Sequence, residues 1–172
     1  DPLASFKIYK DTTFAMMREL QRRGHRVWAC EPRDQSWRSG AQVQARVREL
    51  HLTGQEPQWF EERSCTSWAL HTFDAVVMRK DPPFDSEFFY ATHLLGQAER
   101  EGARVFNTPA ALRDHPEKLA IMECPEFLSP TLVTRSEAEV REFHAEHRDI
   151  ILKPLDGMGG MGIFRVGPEG LN

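Results

Sequence analysis

Cysteine is scarce and unpaired in this 172-residue chain. Cys30, Cys65 and Cys124 stand far apart with no CxxC spacing, which argues against a zinc ribbon or a disulfide framework and for a reducing cytoplasm. Long apolar runs are absent as well. Nothing approaches the ~18 residues of a membrane-spanning helix, and the first residues carry no secretory core, so no membrane association is expected. Positive charge is in short supply, with 22 Lys and Arg against 26 Asp and Glu for a net −4. That balance points away from nucleic acid and anionic membranes as partners. An anionic ligand would have to be captured by a few local cations, because the overall field does not attract it. There is no internal repeat and no low-complexity tract.

What is present suits a globular α/β fold. Hydrophobic residues make up 40% of the chain and charged residues 28%, near the average for packed domains. The length allows one domain, or one domain with part of another. Asp11-Thr12-Thr13 offers N-cap side chains, and Phe14, Met17 and Leu20 recur at helical spacing until Gly24. His25–Cys30 reads as a short strand and 32–40 as a loop. Val43, Ala45 and Val47 alternate with Gln44, Arg46 and Arg48, the pattern of a half-exposed strand forming a hairpin with residues near Trp59. Phe73–Arg79 reads as a buried strand. A loop through Asp85, a helix capped by Asp85 or Ser86 and ending near Gly102, and a strand at 103–107 follow. Such a β-loop-α-β succession implies a right-handed crossover in a parallel sheet. Short helices are expected at 110–113 and 117–123, a strand at 131–134, and an amphipathic helix at 137–147 with Val140 and Phe143 inward. Pro116, Pro125 and Pro130 punctuate a change of subdomain near 115–130.

The most informative stretch is Asp149-Ile-Ile-Leu-Lys-Pro-Leu-Asp-Gly-Met-Gly-Gly-Met-Gly-Ile-Phe-Arg-Val166: an apolar strand with a lysine, a glycine loop, and a second apolar strand. Its Gly157–Gly162 spelling matches G-x-G-x-x-G, but a dinucleotide fingerprint must open a helix, and Ile163-Phe-Arg-Val166 is strand chemistry. A protein kinase places its lysine on a strand after the loop, whereas Lys153 comes before it. Strand, lysine, glycine loop and strand together suit ATP. Glycines let backbone N–H groups approach phosphate oxygens, and Lys153 adds a point charge for the α- and β-phosphates. The bland alternative is a tight hairpin with a surface lysine.

The same stretch resembles the corresponding segment of prokaryotic glutathione synthetase, an ATP-grasp ligase. So do Phe14-Ala-Met with Gln21-Arg-Arg-Gly24, Met78-Arg-Lys-Asp-Pro-Pro-Phe-Asp85, and Leu112-Arg-Asp with Glu117-Lys-Leu119. The matches keep the family's order over nearly the whole chain. The resemblance implies a Rossmann-like parallel-sheet (pre-ATP-grasp) domain over 1–115, less its opening strand, then the beginning of an ATP-grasp domain over 116–172. It implies that Lys118 and Lys153 contact ATP with Gly157, Met158, Gly159, Gly160 and Gly162, and that Lys153 is catalytic. Arg79 and Asp81 would meet the substrate, and Asp1 would lie near it. The implied reaction joins γ-glutamylcysteine to glycine through an acyl phosphate, with ATP and Mg²⁺. The metal ligands are expected in a segment beyond Asn172, so this fragment alone is expected to be inactive, and the family suggests a cytoplasmic homo-oligomer.

Read from residues alone, Lys118 after Glu117 would be a solvated helix face, while Arg79 sits after a strand end, where open α/β sheets bind ligands and a guanidinium can fork onto a carboxylate. His144 and His147 are expected on a solvated face opposite Val140 and Phe143, without a third metal ligand. Trp28, Trp37, Trp59 and Trp68 suit a core or subunit contacts. No enzyme nucleophile is indicated. The rivals are another ATP-grasp carboxylate–amine ligase and, for this chain by itself, a non-catalytic binding or assembly module.

Overall fold

The computed structural model describes residues 1–81, 83–157 and 159–170. It divides into two compact units, one of residues 1–81 and 85–114, the other of residues 115–170 with the short piece 83–84.

In the first unit, helix α1 (Thr12–Arg22) is capped by Asp11, whose carboxylate accepts from Phe14 N at 2.8 Å. It stops where Gly24 takes φ +83°, a conformation that costs other residues strain. Strands β1 (Val27–Ala29), β2 (Gln35–Ser36), β3 (Gln44–Leu52) and β4 (Phe60–Ala69) form one antiparallel sheet in which β3 pairs with all the others. The expected hairpin is therefore present, with Trp59 buried just before β4.

The burial pattern of β3 changes parity along its length. Val43, Ala45 and Val47 pack with Leu95, Ala98, Ala103 and Val105, whereas Leu50 and Leu52 pack with Phe14, Met17, Val27 and Trp59. Since successive strand side chains alternate between faces, the first half buries one face and the second half the other. The β3–β4 register slips at the same place. Glu49 faces Ser64 and Leu50 faces Glu62, which leaves Arg63 unpaired as a bulge.

Helix α2 (Ser86–Arg100) lies between β5 (Val76–Val77) and β6 (Val105–Phe106), which pair in parallel. Asp85, not Ser86, is its cap, accepting from Phe88 N at 2.9 Å. Glu101, just past its end, accepts from Val43 N at 2.7 Å and ties the helix to the start of β3. Helix α3 (Pro109–Asp114) is held by Arg113 donating to the Thr92 carbonyl at 3.0 Å.

The second unit holds α4 (Glu137–His147) and the antiparallel hairpin β7 (Ile150–Leu152) and β8 (Phe164–Val166). Among the described residues no helix is long and apolar enough to cross a membrane.

Several expectations need correction. The fold is mixed α/β, but among the described residues parallel pairing is confined to β5 and β6, and the larger sheet is antiparallel. The strands expected over 25–30 and 73–79 shorten to the residues that find partners. Residues 131–134 form no strand: none of the described residues pairs with them, and Leu132 and Val133 stay exposed, so β-propensity has nothing to act on. The helix expected over 117–123 is a turn followed by a single 3₁₀ stretch, Ala120–Glu123. On α4, His144 and His147 share the half-buried face of Val140 and Phe143. His144 Nε2 lies 2.8 Å from the Gly167 carbonyl, and the His147 ring packs on Phe143 at 4.3 Å between centroids. Positions 140, 143, 144 and 147 form one helical stripe. Of the tryptophans, Trp59 is core and Trp28 half-buried against Trp68, while Trp37 is exposed.

Candidate phosphate loop and substrate cluster

The glycine loop connects β7 to β8. At the open end of this hairpin the Arg165 fork donates to both Asp149 oxygens, at 3.0 and 2.6 Å, and holds the Asp149 carboxyl below its usual range. At the other end Pro154 fills the base of the loop. A Cβ on Gly157 would stand 2.7 Å from Pro154 Cγ and 3.2 Å from the Met161 carbonyl oxygen, and one on Gly162 would stand 3.2 Å from the same Cγ. Gly159 and Gly160 have positive φ and open space where a Cβ would go. The glycines thus divide into two that let the loop close on Pro154 and two that present bare backbone outward. Bare backbone with φ > 0 is what an anion-binding turn requires. Met158 lies outside the described residues.

Lys118 meets this loop directly. Its ammonium donates to the Gly157 carbonyl at 2.5 Å, and its side chain is only 18% exposed. Reading the residues alone put it on a solvated helix face; instead it follows Pro116 in a turn closed by Leu119 N and Ala120 N on the Pro116 carbonyl. Its neighbour Glu117 is 4.0 Å away and largely exposed, too weak a pair to hold the ammonium. Lys153, just past β7, is exposed, with no hydrogen bond or ion pair among the described residues. One anchored and one free ammonium thus belong to the same loop. Such a set can bind a polyphosphate: the free cation attracts it, and the anchored one exchanges a carbonyl for a phosphate oxygen.

In the first unit, Asp1, Arg79 and Asp81 fall into one neighbourhood. Asp1 Oδ2 accepts from Asp81 N at 3.4 Å. Lys80, which sequence reasoning assigned no role, links them by pairing with Asp1 Oδ1 at 2.9 Å and donating to the Asp81 carbonyl at 2.6 Å. Arg79 donates to Thr12 Oγ1 at 2.8 Å and to Thr13 Oγ1 at 3.2 Å. On the sequence the two threonines read only as caps. The signal that they do something else is that Asp11 already fills that role. Among the described residues no group of three or more His, Cys, Asp or Glu side chains is placed to hold a metal ion.

Comparison with known proteins places this geometry in context. Residues 1–113 match the family model of the prokaryotic glutathione synthetase N-terminal domain, and residues 117–172 that of the prokaryotic glutathione synthetase ATP-grasp domain. The chain is 56% identical over 172 residues to a glutathione synthetase of Ralstonia nicotianae, covering 100% of this chain and 53% of that protein. It is 52% identical over 169 residues to one of Nitrosomonas europaea, covering 96% and 52%. It is 51% identical over 170 residues to one of Neisseria meningitidis serogroup B, covering 96% and 53%. The chain spans about half the length of these curated relatives.

Proposed function

The chain belongs to the prokaryotic glutathione synthetase family, and from that premise we propose that the whole protein is itself a glutathione synthetase. In this proposal ATP phosphorylates the free cysteinyl carboxylate of γ-glutamylcysteine. The amine of glycine attacks the acyl carbon, the C–O bond to phosphate breaks, and phosphate leaves as the amide forms. Lys118 and Lys153 hold the phosphates, with Lys153 offsetting charge on the transferring group. Gly157, Gly159, Gly160 and Gly162 form the loop above them, and Met158 is assigned to the nucleotide with these glycines. Arg79 receives a carboxylate of the acid substrate, with Asp81 and Asp1 beside it.

The main support is the bond from Lys118 to the Gly157 carbonyl. It brings the lysine of Glu117-Lys-Leu119 onto the loop that Lys153 precedes, as a shared phosphate site requires. Mg²⁺ would accompany ATP. The described residues offer no ligand cluster for it, so no residue of this chain is assigned to the metal and no step runs through it. The parallel pair β5 and β6 with α2 between them supports a Rossmann-like domain over 1–115 followed by an ATP-grasp domain from 116. Scattered cysteines support a cytoplasmic protein, and the family suggests a homo-oligomer.

The test is made in the full-length protein. Incubation with ATP, γ-glutamylcysteine and glycine should yield glutathione, phosphate and ADP in equal amounts, and Lys153→Met should lower turnover by orders of magnitude. Efficient ligation only of a different acid or amine would assign the protein to another ATP-grasp ligase. Near-normal turnover in Lys153→Met would remove Lys153 from the chemistry.

A further inference from the structure

We propose that Thr12 and Thr13 are positioning residues that aim Arg79 at the acid substrate, a role that rests on the assignment of Arg79 to a substrate carboxylate. The guanidinium offers two forks, one along Nε and Nη2 and one across Nη1 and Nη2. The first is occupied: Nη2 donates to Thr12 Oγ1 at 2.8 Å and Nε to Thr13 Oγ1 at 3.2 Å. The second has no acceptor among the described residues and is the geometry a carboxylate takes up with two parallel hydrogen bonds. Two hydroxyls from consecutive residues therefore fix the plane of the guanidinium and leave its end-on edge presented.

Helix stability does not explain this arrangement. The first turn of a helix is its electropositive end, where a cation is disfavoured, and Asp11 already caps α1. Nor do nearby carboxylates claim the arginine. Asp1 is engaged by Lys80 and by the Asp81 amide, and Arg79 makes no ion pair among the described residues. The choice of hydroxyl matters chemically. An aspartate at position 12 or 13 would orient Arg79 equally well but neutralise it, and an incoming carboxylate would then compete with a resident one. Threonine orients the cation and leaves its charge for the ligand.

The experiment uses the full-length enzyme and steady-state kinetics with γ-glutamylcysteine varied. Thr12→Val with Thr13→Val keeps the shape and removes both acceptors. KM for γ-glutamylcysteine should rise about 10-fold, the scale of a lost hydrogen bond to a charged group, with KM for ATP and kcat little changed. Thr12→Ser with Thr13→Ser should restore it. Thr12→Asp, which suits a helix N-terminus and so should fold, should raise the same KM by pairing with Arg79. In an Arg79→Gln background the valine changes should add nothing. If Arg79→Gln raises that KM but neither the valine pair nor Thr12→Asp does, the positioning role is wrong while the role of Arg79 stands. If Arg79→Gln leaves that KM unchanged, the assignment of Arg79 itself is wrong.

Discussion

Replacing Gly157 by alanine tests whether the loop's shape serves nucleotide binding. Gly157 does not need glycine for its backbone angles, since it is not among the positive-φ glycines. It needs glycine because a Cβ would come 2.7 Å from Pro154 Cγ and 3.2 Å from the Met161 carbonyl. Carbon atoms settle at about 3.5–4.0 Å, so the 2.7 Å contact must open by close to an ångström. The pyrrolidine ring cannot swing away as a flexible side chain would, so the loop backbone has to move. Overpacking of this kind costs about 1–3 kcal/mol, and moving Gly157 also disturbs the carbonyl that Lys118 grips. If the closed loop is the nucleotide-binding form, that strain appears as a rise of about 5- to 150-fold in KM for ATP. KM for the acid substrate should be much less affected. Pro154→Ala removes Cγ and leaves the 3.7 Å contact to Cβ and the 3.2 Å contact to the Met161 carbonyl, so it should recover most of the loss in the double variant, a non-additivity diagnostic of direct contact. Equal ATP affinity in Gly157→Ala and wild type would refute the link between loop closure and nucleotide. Additivity of the two changes would refute the steric cause.

Two further outcomes concern stability. The Gln21 amide pairs with the backbone of Leu52 in both directions, donating to its carbonyl at 2.9 Å and accepting from its N–H at 2.7 Å. Gln21→Leu orphans both groups at the end of β3 and should lower unfolding free energy by about 2 kcal/mol, read from urea melts; an unchanged midpoint would mean water replaces the side chain without loss. Asp149 is held below the ordinary carboxylate value by Arg165. Its contribution is therefore complete above about pH 4, and it disappears as pH falls through the lowered folded value. Asp149→Asn should thus weaken the protein at neutral pH and flatten the acid limb of its stability profile. An unaltered acid limb would show the pair to be energetically silent.

Much of the fold was legible because its signals are local. Asp11 and Asp85 sit where a carboxylate can reach the first-turn amides, and the alternation of Val43, Ala45 and Val47 marks a strand with one covered face. What escaped depends on tertiary partners. Leu50 and Leu52 bury the opposite face of the same strand because a different helix covers that end, and no period within β3 reveals which helix lies where. Residues 131–134 have strand composition but, among the described residues, no neighbouring edge to pair with. The same holds at the site. The glycine loop and Lys153 could be read from their spacing, whereas the burial of Lys118 depends on a carbonyl 39 positions later. Thr12 and Thr13 acquire their use from an arginine 67 and 66 positions away.

Two of the three cations proposed to contact substrates, Lys118 and Arg79, are held in a common manner. Lys118 is fixed by a backbone carbonyl and Arg79 by two hydroxyls, all neutral acceptors. Arg26, Arg48 and Arg165 are instead each paired with a carboxylate, although Arg113, which serves structure, also rests on a neutral carbonyl. The chain carries a net charge of −4. A protein whose overall field does not draw in anions must concentrate attraction in a few groups, and a carboxylate partner would cancel the charge that the ligand needs. Neutral acceptors supply orientation without cancellation. Lys80 provides the contrast within the cluster: its pairing with Asp1 leaves it little charge to offer a ligand, so it organises the loop around Arg79 while Arg79 keeps the free cation.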